Sequence, residues 1–196
     1  FKTHKATTNA TVLKKLSHAG AVLLGKLNMH ECAFGFTGEN PTFGNCPNPW
    51  NTKQIAGGSS SGSAVAISLG VFGFTLGTDT GGSVRIPSAL CGLTGFKPSA
   101  ARVSTEGVLP LSFTLDSIGP LARSVACCAL LDAVLAGAPV TRLHPAMLAG
   151  RCIAVPKTVA LDGMDATVAA AFDAACRRLT AAGVRLVDID VPEFAE

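Results

Sequence analysis

Two short stretches of this sequence combine glycine with serine in a way that could do chemistry: Gly57-Gly58-Ser59-Ser60-Ser61-Gly62-Ser63 and Gly77-Thr78-Asp79-Thr80-Gly81-Gly82-Ser83. Glycine lets the backbone turn sharply and admits a ligand close to the main chain. In the second stretch, successive N–H groups at Thr80, Gly81, Gly82 and Ser83 can point into one concavity, and such a nest binds an anion or a developing oxyanion. The hydroxyl of Ser83, at the end of the nest, would lie where a nucleophile attacks the same carbonyl. The competing reading is that both stretches are ordinary flexible turns.

The elements that would position these turns can be read from periodicity. Thr8 or Asn9 caps a helix with Val12, Leu16 and Ala19 inward and Gly20 as its stop, and Ala21 to Leu24 reads as a short buried strand. Residues 28–56 are rich in Gly, Asn and Pro with no sustained period, and long loops of this kind are commonly functional. Met29, Phe34, Phe36 and Phe43 within that region are candidates for an apolar wall or for core. The first Gly/Ser turn runs into Ser63 to Gly70, which is apolar or small on every side, as in a fully buried helix. Val71 to Leu76 reads as a strand, Pro87 suits the first turn of a short helix at Ser88 to Cys91, and Leu93 to Phe96 reads as another strand. Ser124 caps a helix from Val125 to Leu135 that ends at Gly137. Strands at Cys152 to Val155 and Val184 to Ile189 flank a helix capped by Asp165, with Val168, Phe172, Ala175 and Leu179 on one face and Gly183 as its stop. Strands alternating with helices imply an α/β architecture with a buried, largely parallel sheet. No internal repeat, low-complexity tract or domain boundary is evident.

Composition removes several function classes. Hydrophobic residues make up 48% of the 196 and charged ones 15%, so the chain has a large core to bury and is not disordered. The poverty of charge suggests that part of the surface is covered by further chain. The net charge is +3, and the 16 Lys and Arg are dispersed; the nearest clusters are Lys2, Lys5, Lys14, Lys15 and the pair Arg177, Arg178. With no Tyr and one Trp, a base-stacking platform is absent, so nucleic acid is not an expected partner. Seven cysteines without a paired spacing argue for reduced, mostly buried thiols in a cytoplasmic protein rather than a disulfide framework or zinc site. His4, His18 and His30 offer no metal-binding spacing. No apolar run reaches the roughly 18 residues of a membrane span, no signal peptide opens the chain, and the first residue is Phe1, which reads as a cut. Neither a membrane nor a cofactor is expected.

Taken together, Gly57 to Ala64, then Gly77 to Ser88 (ending Ser83-Val84-Arg85-Ile86-Pro87-Ser88), then Cys91-Gly92-Leu93-Thr94-Gly95-Phe96-Lys97-Pro98, resemble the amidase signature family. Gly20 to Met29 and Leu115-Asp116-Ser117-Ile118-Gly119-Pro120 fit as well. The resemblance covers roughly residues 1–137, with a weaker match in the tail, and implies a mixed, largely parallel central sheet with helices on both faces. It further implies one partial domain over 1–196, truncated at both ends. Under it, Ser83 would be the nucleophile and Ser59, in a cis peptide, the bridging serine that relays a proton between nucleophile and lysine. Thr80, Gly81 and Gly82, with Ser83 itself, would supply the oxyanion-hole N–H groups. Ser60, Asp79 and Arg85 would support the site by hydrogen bonds. The activity implied is hydrolysis of a carboxylic amide to the acid plus ammonia or an amine.

Some features depart from the family pattern. Its catalytic lysine would precede Phe1, so this chain alone is expected to have little activity; Lys26 belongs to a structural or substrate-proximal segment and is not that lysine. Ser61 stands where glycine is usual. Within the family, the alternative is the glutamine-hydrolysing subunit of a tRNA-dependent amidotransferase. Such subunits usually carry glutamine after the arginine that follows the nucleophile, whereas here Arg85 precedes Ile86, which favours a stand-alone amidase. Its partners would be a small-molecule amide and either a second copy or the remaining parts of the same polypeptide. Outside the family, Gly58-Ser59-Ser60-Ser61-Gly62 fits a nucleophile elbow with Ser60 as nucleophile and Asp116 and His144 following. That elbow needs a strand before it, and Asn51-Thr52-Lys53-Gln54 is a poor one. A nucleotide-binding module is the non-hydrolase alternative, but no G-K-[ST] follows the first turn.

Overall fold

The computed structural model describes residue 3 and residues 5–195; Phe1, Lys2, His4 and Glu196 lie outside the described residues. The chain divides into two compact units, the first reaching to Leu143 and the second starting at His144. No break in composition marks that junction.

The first unit is built on a three-stranded sheet. β1 (Phe74–Asp79) and β2 (Thr94–Gly95) both pair antiparallel with β3 (Ser117–Ala122), which lies between them. Every residue of β3 is buried. Since alternate strand residues face opposite sides, the partners of β3 reveal two covered faces. Ile118 and Ala122 pack with Val12 and Leu16 of α1 (Thr11–His18), with Val103, and with Cys128, Leu131 and Leu135 of α4 (Val125–Ala136). Leu121 packs instead with Ala64 of α2 (Ser61–Ser68) and with Ala56, Val84 and Cys91, which flank the first Gly/Ser turn and α3 (Arg85–Leu90). Helices therefore cover both faces, as expected of the α/β class.

The details differ from the expectation in instructive ways. Pattern does not predict β3: Gly119 and Pro120 read as a turn, and no alternation survives where both faces are buried. Gly119 is required there, because an added Cβ would collide with the Phe96 carbonyl oxygen. The pairing in this sheet is antiparallel, and the parallel pair lies in the second unit. β1 begins three residues later than expected and runs through Asp79, so the second Gly-rich turn starts only at Thr80. Residues 21–24 form no strand: Val22, Leu23 and Leu24 are exposed, and among the described residues no strand pairs with them. Ala10, rather than Thr8 or Asn9, stands at the start of α1, where Thr11 N–H donates to the Glu106 carbonyl at 3.1 Å.

Other expectations hold. Six of the eight residues of α2 are buried, so it has no solvent face. It is fastened to β1 by Ser63 Oγ donating to the Leu76 carbonyl (2.9 Å) and Thr75 Oγ1 to the Ser63 carbonyl (3.1 Å). Ser124 Oγ accepts the Cys127 N–H, and Gly137 closes α4 in the left-handed conformation. Opposite α4, Arg102 grips the Asp132 carboxylate, with Nη2 donating to Oδ2 at 2.7 Å.

In the second unit, β4 (Cys152–Pro156) pairs parallel with β5 (Arg185–Ile189), joined through α5 (Ala166–Ala181). The Asp165 carboxylate caps α5 by accepting the N–H groups of Thr167 and Val168. All seven cysteines are free, and only Cys91 and Cys128 are buried; Cys32, Cys127 and Cys152 are exposed, which corrects the expectation of mostly buried thiols. Burial, reinforced by the neighbouring Cys46 and Cys127 respectively, pushes the Cys91 and Cys128 thiols up to about 11. Among the described residues, no helix is long and apolar enough to cross a membrane.

Candidate active site

Ser83 sits in the turn between the end of β1 and the start of α3, and one carboxylate shapes that turn. Asp79, the last residue of β1, is fully buried. It accepts the N–H groups of Gly82 (2.7 Å), Val84 (3.2 Å) and Arg85 (3.3 Å), together with Arg85 Nε (3.0 Å) and Nη2 (2.9 Å). Burial by itself would raise the Asp79 pKa. The Arg85 guanidinium and the backbone N–H groups outweigh it, so the carboxyl stays below its ordinary value and the charge is kept. The same pairing raises the Arg85 pKa, although burial works against it. Gly82 has φ +132°, which an L side chain rarely adopts, and a Cβ there would meet Ile86 Cδ1 at 2.7 Å.

Ser59 is brought to this turn from the other Gly/Ser stretch. The Gly58–Ser59 peptide is cis. Ser60 N–H donates to the Ser83 carbonyl at 3.1 Å, so the backbones of the two turns touch directly. Ser59 is fully buried and Ser83 is buried at 5% exposure. Ser59 Oγ has no hydrogen-bond partner among the described residues, a costly state for a buried hydroxyl. Ser60 lies against β1, where a Cβ on Gly77 would collide with its Oγ.

The long loop before the first turn is ordered by asparagines rather than by periodicity. Asn40, only 4% exposed, donates through Nδ2 to the Met29 carbonyl (2.9 Å), and its Oδ1 accepts the N–H groups of Thr42 and Phe43. The loop so braced clamps the serines: His30 N–H donates to the Ser59 carbonyl and Gly62 N–H to the Asn28 carbonyl, both at 2.9 Å. The approach is close enough that a Cβ on Gly62 would lie 2.5 Å from the Asn28 oxygen. Met29, Phe34, Phe36 and Phe43 are not core, since all four are exposed. Phe36 flanks the second turn, with its ring edge 4.0 Å from where a Gly81 Cβ would be.

The expected donors in the turn are not equivalent. The Gly82 N–H, assigned by resemblance to the oxyanion set, is spent on Asp79; the carboxylate at the strand end reaches it first. Among the described residues no acceptor takes the N–H of Gly81 or Ser83. The Thr80 hydroxyl donates to Asp116 Oδ1. The arrangement thus joins, backbone to backbone, the Gly-rich turn that carries Ser83 to the turn that carries the unpartnered Ser59 hydroxyl. The elbow reading fails: among the described residues no strand leads into Ser60, Asp116 is engaged with Thr80, and His144 is exposed. Among the described residues no group of three or more His, Cys, Asp or Glu could hold a metal. Sequence reasoning missed Asn28, Asn40 and the role of Asp116: Asn40 reaches Met29 and Asp116 is reached by Thr80, 11 and 36 positions away, and the recurring asparagines at 28, 40, 45, 48 and 51 were the available signal.

A family model described as Amidase matches residues 1–196. The chain is 43% identical over 197 aligned positions to a glutamyl-tRNA(Gln) amidotransferase subunit of Roseiflexus sp. (strain RS-1), covering 94% of this chain and 40% of that protein. It is 39% identical over 193 positions to the indoleacetamide hydrolase of Allorhizobium ampelinum, covering 98% and 41%. A solved amidase crystal structure superposes with a TM-score of 0.88 at 41% identity, covering 96% of this chain and 43% of that one. The chain thus spans about 40% of the length of the curated relatives it matches.

Proposed function

Because this chain belongs to the amidase family, we propose that the polypeptide carrying it hydrolyses a carboxylic amide through an acyl-enzyme on Ser83. Ser83 Oγ attacks the carbonyl carbon while its proton passes to Ser59 and on to a lysine base, which the family resemblance puts upstream of Phe1. Lysine ordinarily titrates near about 10.4, so burial or a neighbouring cation must depress it before it serves as a base near neutrality. The Thr80, Gly81 and Ser83 N–H groups donate to the carbonyl oxygen as negative charge develops on it, each worth about 3 kcal/mol in the transition state. Collapse breaks the C–N bond, the relayed proton leaves with the amine, and water then releases the acid from the ester. The setting is cytoplasmic, and residues 1–196 are taken as part of one amidase domain.

The observation that carries this reading is the 3.1 Å hydrogen bond from Ser60 N–H to the Ser83 carbonyl, which joins the two serine turns. The reading is tested in the complete gene product, following ammonia release from a panel of acetamide, benzamide, indole-3-acetamide and glutamine. Ser83→Ala is expected to lower kcat by at least about a thousandfold, and Ser59→Ala to lower it severely too. Retained turnover in Ser83→Ala would remove the nucleophile and the proposal with it.

The second reading, a glutamine-hydrolysing amidotransferase subunit, is favoured by the 43% identity to such a subunit. Against it, position 86 is isoleucine, whose side chain packs on Gly82 beside the nucleophile. Turnover confined to glutamine and dependent on partner subunits would select it.

A further inference from the structure

Asp79 secures one side of the nucleophile turn, and a second carboxylate secures the other. β1 and β3 end their ladder with Asp79 opposite Ser117. One position beyond that last rung stand Thr80 and Asp116, joined by the hydrogen bond from the Thr80 hydroxyl to Asp116 Oδ1. Asp116 Oδ2 accepts the N–H groups of Leu111 (2.8 Å) and Ser112 (3.1 Å), and Asp116 N–H donates to the Ser112 carbonyl (3.1 Å). One carboxylate therefore ties the first residue of the turn to the loop at 109–115, where Leu109, Leu111, Phe113 and Leu115 are exposed.

We infer that Asp116 is a positioning residue for the oxyanion-binding turn, acting through Thr80; the inference rests on the acyl-enzyme reading above. Thr80 is followed by two glycines, the residues least able to hold their own conformation. Amide donors stabilise an oxyanion only if they are aimed before charge develops, because reorienting them during the reaction costs the free energy they would contribute. Asp79 fixes the Gly82 side of that glycine pair, so an anchor at Thr80 completes the restraint on Gly81. A carboxylate has two oxygens that accept from different sides, which suits Asp116 for holding the Thr80 hydroxyl and the loop N–H groups at once. Its second oxygen holds the backbone of an apolar loop at the same point.

The test uses the complete gene product with Thr80→Val, Thr80→Ser, Asp116→Asn and the Thr80→Val/Asp116→Asn double variant. Thr80→Val is expected to lower kcat by up to about a hundredfold, the cost of misplacing a reacting group by about 1 Å, with KM changed less than about twofold. Thr80→Ser, which keeps the hydroxyl, should recover most of the lost rate. In the Asp116→Asn background Thr80→Val should cost less than it does in the parent, since the carboxylate to which the Thr80 hydroxyl donates is already gone. Phenylboronic acid, which forms a tetrahedral adduct on a serine, should bind more weakly to Thr80→Val in proportion to kcat, while the product carboxylate binds unchanged. An unaltered kcat, additive losses in the double variant, or Thr80→Ser as impaired as Thr80→Val would overturn the inference. If Asp116→Asn does not fold, the two Thr80 variants decide alone. Ser83→Ala keeps the two readings apart: if it is inactive while Thr80→Val is unimpaired, only the positioning role falls, whereas an active Ser83→Ala removes the acyl-enzyme.

Discussion

Asp79 concentrates more of the site in one side chain than either serine does. Three main-chain N–H groups and two guanidinium nitrogens converge on it in a fully buried position. Removing the carboxylate leaves the N–H groups of Gly82, Val84 and Arg85 without their acceptor, while the half-exposed Arg85 guanidinium can turn to water, so Asp79→Ala should destabilise the protein by about 1–3 kcal/mol in urea unfolding. The pH dependence has a definite sign. The folded carboxyl titrates below its ordinary value, so its contribution is complete above the unfolded-state pKa of about 3.9. It is lost as the pH falls through the folded value. Stability measured from pH 6 downward should therefore fall on the acid side of the unfolded pKa in the parent, and fall less in Asp79→Asn. An identical acid limb in both would show that the carboxylate is not held ionised by these contacts.

Among the elements, the loop at 28–45 matters most to the serines although it contains almost no regular structure. Asn40 acts as its internal scaffold, replacing the hydrogen bonds that a helix or strand would make for itself. Asn40→Ala would strand the N–H groups of Thr42 and Phe43 and the Met29 carbonyl. A loss of about 2 kcal/mol is expected from the buried groups left unpaired. A fall in kcat should accompany it, because the His30 and Asn28 backbones that hold Ser59 and Gly62 belong to the same loop. Ser124→Ala offers the comparison at a site remote from the serines. It removes the α4 cap, costs about 1 kcal/mol, and should leave kcat unchanged. Equal kinetic damage in both would mean that Asn40 acts only through global stability.

At the scale of the molecule, the described surface is unusually apolar in places. Val22, Leu23 and Leu24 are exposed at 80%, 65% and 72%, and Phe113 at 93%. Contiguous exposed apolar surface of this kind favours association. The chain of 196 residues, expressed as such, should bind a hydrophobic dye such as ANS strongly at neutral pH, and the Leu23→Ser/Leu24→Ser pair should reduce that binding clearly. Unchanged dye binding in the pair would locate the sticky surface elsewhere, with the 109–115 loop as the next segment to alter.

What the amino-acid sequence determined by itself was local: the two Gly/Ser turns, the all-round apolar character of α2, the Ser124 and Asp165 caps, and the Gly137 stop. Each depends on residues within a turn or two of one another, so its physics is complete in a short window. The tertiary structure alone decided the rest. β3 is a strand because two faces bury it, although Gly119 and Pro120 read as a turn. The segment at 21–24 is not a strand because no described strand offers it hydrogen bonds. Gly82 donates to Asp79 within its own turn, and Thr80 reaches Asp116 because the ends of β1 and β3 meet. A hydrogen-bond partner 36 positions away leaves no period and no cap in the chain, and only the folded path of the backbone selects it.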